Sequence, residues 1–165
     1  MFYQKLILFI VSGWVVSVFG VQSDNQEFQE MTKAEITAIY VNIHKGLAGD
    51  AKTQPASSAV YKIYAGMINE WITKYRFLEV DTEIDKSWFE KTEKLLEYMA
   101  QCKEFIELAQ SRGDVNTEEF RKVKSNFEEA HKRFAELVKK PTPVDKDKLE
   151  KLRADKHKWE AEKRR

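Results

Sequence analysis

Phe120-Arg-Lys-Val123-Lys-Ser-Asn-Phe127-Glu-Glu-Ala130-His131-Lys-Arg-Phe134-Ala-Glu-Leu-Val138 is the stretch on which the reading of the whole chain turns. At 100° per residue, Phe120, Val123, Phe127, His131, Phe134 and Val138 fall on one side of a helix and most of the charged residues on the other. The stripe carries a single histidine near its middle, and an imidazole among apolar neighbours invites a ligand or proton-handling role.

Working back from this helix, Asn116-Thr-Glu-Glu119 has the composition of a helix start and Arg112-Gly113-Asp114 that of a glycine stop. The tripeptide also spells an adhesion motif, which a glycine between two helices does not require. Ser87-Trp-Phe-Glu90 forms a capping-box pattern that opens another helix, with Trp88, Leu95, Met99, Cys102, Ile106 and Ala109 along its inner face. A further helix is expected over about residues 59 to 77. Val60, Tyr64, Met67, Trp71, Tyr75 and Leu78 line one side of it, widened by Tyr61, Ile68 and Ile72, so that it is expected to be the most buried. The first amphipathic segment runs from about Asp24 to Lys45, followed by a connection over residues 46 to 58 that holds two glycines and Pro55. Short turns between such helices force neighbours to run in opposite directions, and the expected class is all-α, an up-down-up-down four-helix bundle. After Pro141-Thr-Pro143 comes a charged tail, residues 141 to 165, in which Leu149, Leu152 and Trp159 form a narrow apolar seam on a solvated helix.

Leu6 to Gly20 is an uncharged apolar run behind Lys5, with small residues Val18 and Gly20 at cleavage positions, and it reads as a secretory signal over residues 1 to 20. Removing it takes away Lys5 alone and brings the formal charge from +1 to zero, without the basic footprint of a nucleic-acid binder. The rest, residues 21 to 140, is expected to be the bundle, and a chain of 165 residues with 33% charged and 42% hydrophobic content supports one core. Cys102 is the only cysteine, so stability rests on packing. No serine or cysteine nucleophile has a partnered base, no carboxylate pair lies on an apolar face, and no glycine-rich phosphate loop occurs. The chain therefore does not read as an enzyme.

Glu107-Leu-Ala-Gln-Ser-Arg-Gly-Asp114, followed by Phe120 through His131-Lys-Arg-Phe134, resembles the last two helices of the periplasmic cytochrome b562 family. More distant is the likeness to the cytochrome c′ bundles, which hold haem covalently through a Cys-x-x-Cys-His motif that Phe127, Ala130 and His131 do not supply. The resemblance implies an exported, periplasmic b-type cytochrome in which a non-covalent haem b passes electrons to a redox partner protein. Carried over position by position, it makes His131 one axial iron ligand and Met31 the other, with the ring system among Trp88, Met99, Phe127 and Phe134. Met67 and Met99 are the substitutes for Met31. The arginines that the family carries one turn to either side of its histidine are here Phe127 and Ala135, which leaves Arg121 or Lys124 to meet the propionates. The alternative is a cofactor-free exported bundle that binds another protein through the aromatic side of the second helix or the Leu149/Leu152/Trp159 seam.

Overall fold

In the computed structural model the described residues are Leu6–Val11, Trp14–Phe19, Leu47 and 56–165. The chain divides into two compact units, Met1–Met31 and Thr32–Arg165. The described part of the first is an antiparallel pair of strands, β1 (Leu6–Val11) and β2 (Trp14–Phe19), in register from Leu6 opposite Phe19 to Val11 opposite Trp14. Valine, isoleucine and the aromatics that fill both strands suit a pleated surface, although a lone hairpin is marginal in water. Gly20 at the expected cleavage position, the expected helix over residues 24 to 45 and Met31 lie outside the described residues.

The second unit is helical throughout its described residues: α1 (Ser58–Lys74), α2 (Leu78–Thr82), α3 (Lys86–Arg112), α4 (Glu118–Lys139) and α5 (Lys146–Lys163). None of these is long and apolar enough to cross a membrane. The long α3 packs against α1 on one flank and α4 on the other. Ser58, Lys62 and Asn69 of α1 bond Glu107, Glu104 and Glu93 of α3, so ascending positions on one helix meet descending positions on the other and the two run in opposite directions. The flank against α4 shows the same order, with the Trp88 indole N–H donating to the Leu137 carbonyl at 3.0 Å and the Lys103 ammonium 6.0 Å from the Phe127 ring centre.

The sequence reading makes α1 the most buried helix, but that position belongs to α3. Phe89, Thr92, Glu93, Leu96 and Ala100 join the expected Trp88, Met99, Cys102, Ile106 and Ala109 in the interior, because a helix covered on two flanks buries more than one stripe. Leu95 is only half-buried. Trp88, Tyr61, Phe89 and Phe134 are the largest fully enclosed side chains. Each contributes on the order of 2–3 kcal/mol by leaving water.

Local chemistry sets the helix ends. Gly113 adopts φ +78° after α3, a left-handed conformation that glycine enters without Cβ strain, and its N–H reaches the Gln110 carbonyl at 3.2 Å while Asp114 reaches Ala109 at 2.9 Å. Thr117 caps α4 by accepting from the Phe120 amide at 3.1 Å. The start of α3 lies ahead of the expected serine: Asp85 is the cap, and its carboxylate accepts from the Ser87 amide and hydroxyl together. The connection between α1 and α3 also contains the short α2, which ends at Glu83 in a left-handed conformation with φ 57°. Residues 83 to 85 then bridge residues 142 to 144, through Asp85 N–H to the Thr142 carbonyl at 2.9 Å and Val144 N–H to the Glu83 carbonyl at 3.1 Å. This bridge brings α5 back onto α2.

Candidate functional site

His131 projects from α4 one turn after Phe127, and it is half-buried rather than central. The interior stripe of α4 is Phe120, Phe127, Ala130, Phe134 and Val138, which leaves Val123 and His131 on its margin. Sequence angles alone cannot say which part of a wide stripe faces α3, and here the centre lies toward Ala130. Nε2 of His131 is 2.7 Å from the carbonyl oxygen of Leu47. A carbonyl can only accept, so this nitrogen carries the proton and donates it. Leu47 itself is buried, so the imidazole ties the residues ahead of α1 to α4. The Phe127 ring stands 6.3 Å from the imidazole and meets Tyr61 edge-on at 5.8 Å.

The other residues expected around a haem are interior packing. Trp88, Met99 and Phe134 are fully enclosed, and Phe127 is 6% exposed. The Trp88 ring also meets Phe89 edge-on at 5.2 Å and is fixed by its bond to Leu137. A hollow of about 160 Å³ lies elsewhere, lined by Leu95, Tyr98, Asn126, Glu129, Ala130 and Arg133. Cofactor pockets generally fall in the range of about 300–1,000 Å³. Among the described residues, a ring system between Trp88 and Phe134 would displace both side chains, and iron at Nε2 would displace the Leu47 carbonyl. Of the other candidate ligands, Met67 is half-buried, while Met31 lies outside the described residues. Arg121 is bonded to the carbonyls of Thr117 and Asn116 at the start of α4. Among the described residues no group of three or more His, Cys, Asp or Glu is placed to hold a metal ion.

The interior holds polar groups that helical spacing did not single out. The Tyr61 hydroxyl is enclosed and finds no hydrogen-bond partner among the described residues. Burial pushes its pKa up to about 12. Glu93 is 9% exposed and accepts from the Asn69 amide at 3.3 Å. Of the aromatics offered as a partner surface, Tyr61, Trp71 and Tyr75 are buried and Tyr64 is half-buried, because the side of α1 that bears them faces the interior.

Trp159 of the C-terminal seam packs back against Phe77 at 5.3 Å, while Leu149 and Leu152 are half-buried. The signal for that contact is legible in Leu78-Glu-Val-Asp-Thr-Glu-Ile-Asp85, where acidic residues recur at every second position. Their cationic counterparts are Lys148, Arg153 and Lys156.

No family model, curated protein or solved structure matches the chain.

Proposed function

We propose that this chain is a cofactor-free, exported helical module that acts by binding another protein. Its export signal is residues 1 to 20, and its fold is the up-down-up-down four-helix bundle expected over residues 21 to 140. The observation that carries the reading is the state of the expected haem ligand and its surroundings: His131 donates to the Leu47 carbonyl, and Trp88, Met99, Phe127 and Phe134 fill the space against one another. A structural histidine that satisfies one backbone carbonyl needs no metal. The rival is the b-type electron carrier of the periplasm, and the resemblance of the α3 and α4 sequences supports it.

Titration of the purified chain with haemin, followed by reduction and an absorption spectrum, separates the two. The expected result is a featureless titration with an intact cooperative helical melt. Sharp reduced bands at one haem per chain that disappear in His131→Ala would overturn the proposal in favour of the cytochrome.

A further inference from the structure

The contact between α5 and the α1–α3 connection is built almost entirely from charge. Lys156 Nζ lies 2.7 Å from Asp81, Lys148 Nζ 2.6 Å from Glu79 and 3.1 Å from Asp85, and Arg153 3.1 Å from Glu83. Asp81 is oriented from behind by the Tyr75 hydroxyl, which donates to its other oxygen at 2.9 Å. The apolar seat is Phe77, itself 5% exposed, with Trp159 packed on it and the Arg76 guanidinium 5.6 Å from the Phe77 ring and 5.8 Å from that of Trp159. Opposite this seat, the 18-residue α5 has no buried residue.

This combination is lopsided. The connection supplies an ordered apolar anchor and a row of carboxylates, whereas the helix that covers them is held by one indole and by ion pairs that range from half-exposed, at Arg153–Glu83, to mostly covered, at Lys156–Asp81. Such pairs are screened over about 8 Å at physiological salt. A helix tethered through Pro141-Thr-Pro143 competes for its seat at an effective concentration on the order of millimolar. It can therefore be displaced by a ligand of the same kind that binds more tightly.

We propose that Phe77, Glu79, Asp81, Glu83 and Asp85 form a docking face for a basic amphipathic helix of a partner protein, and that α5 is its built-in competitor. The partner presents cations at the spacing of Lys148, Arg153 and Lys156, with an aromatic residue one turn beyond the last of them, as Trp159 is here. The inference rests on the reading of the chain as an interaction module. The haemin titration tests that reading by itself, so a chain that bound haem and also docked the helix would lose the first proposal and keep the second.

The test uses full-length protein and a fluorescein-labelled synthetic peptide of residues 141 to 165, followed by anisotropy. In the Lys148→Glu/Arg153→Glu/Lys156→Glu chain the resident helix is repelled from its seat and the face is uncovered. That chain is expected to bind the peptide about tenfold or more tightly than the wild type, as removal of a tethered competitor requires. Binding is expected to vanish at about 0.5 M NaCl and on adding Asp81→Lys/Glu83→Lys. Equal affinity for the wild-type and tail-reversed chains, no binding to either, or binding that survives reversal of the face would each overturn the proposal. Should the tail-reversed chain lose its helical melt, hydrogen exchange on the wild type decides. Salt-induced loss of protection in α5 with α3 and α4 unchanged supports the displaceable helix, and α5 amides that stay protected alongside α3 sink it.

Discussion

The Tyr61 hydroxyl is the least comfortable atom in the described interior. It has given up water without gaining a partner there, at a cost of about 1–3 kcal/mol, while its ring is held edge-on by Phe127. Tyr61→Phe keeps the ring and removes the cost, so it is expected to stabilise the chain by about 1 kcal/mol in urea unfolding at neutral pH. A loss of that size would mean that the hydroxyl is bonded after all. The alkaline limb supplies a second reading of the same atom. The unfolded chain ionises this phenol near 10 and the folded chain near 12, so the folded state binds the extra proton between those values and stability falls as pH rises through them. The phenylalanine variant lacks that contribution to the decline. His131 illustrates a complementary limit on what one residue discloses. Helical angle placed it on the apolar side, and it does lie beside Phe127, but its role depends on the Leu47 carbonyl, a residue far away in sequence.

Caps show most clearly which parts of the elements were legible in advance. Gly113 and Thr117 act through atoms within four residues, and their identities announce it. The Asp85 cap was displaced from the expected serine by two positions because both residues satisfy the same local rule and the carboxylate takes the amide. The start of α1 fell within one residue of the expected position 59, but the group that caps it was not legible. Its cap residue Ser57 makes no side-chain bond, and the free end is satisfied from α3, where Glu107 accepts from the Ser58 amide at 3.0 Å and from its hydroxyl at 2.6 Å. Burial pushes the Glu107 carboxyl up, but the Ser58 hydroxyl and amide, with Lys103 and Lys62 nearby, more than offset this and leave its pKa below the usual carboxylate value. A lowered folded pKa contributes stability above the unfolded value, near 4.5, that is lost as pH falls through the folded one. Glu107→Gln is therefore expected to cost about 1 kcal/mol at pH 7, as loss of a charged helix cap does, and to approach the wild type near pH 3. Urea midpoints at the two pH values check it, and an equal deficit at both would assign the loss to packing rather than to charge.

At the scale of the whole molecule, the helical class and the three long helices of the described bundle followed from spacing, whereas the return of the C-terminal helix did not. The seam at Leu149, Leu152 and Trp159 and the acidic alternation at Glu79 to Asp85 are each visible in the sequence, but nothing local says that two such distant segments meet. Two titrating groups show how charge holds that contact. Asp85 lies below the usual carboxylate value, first because the Ser87 hydroxyl bonds it and then because Lys148 adds to this against the opposing effect of burial. Lys148 is raised above its ordinary value by the Glu79 and Asp85 carboxylates. Raising the folded pKa of Lys148 stabilises docking below the unfolded value of 10.5, and that contribution fades only as pH climbs past it. Most of the lowering at Asp85 comes from Ser87 and stabilises the start of α3; only the smaller part that Lys148 adds favours docking above about 3.8, and that part fades as pH drops below it. Across neutral pH both hold, and acid is the side on which the helix is expected to come away. In NMR spectra taken from pH 7 to pH 3, the Trp159 indole resonance is expected to move toward the position of an exposed tryptophan. That of Trp88, bonded to Leu137 inside the α3–α4 contact, is expected to stay in place. If Trp159 keeps its native position at pH 3, the Phe77 contact alone holds the helix, and charge is not what seats it. If both indoles move together, the helix and the core unfold as one body, and α5 is no separable element.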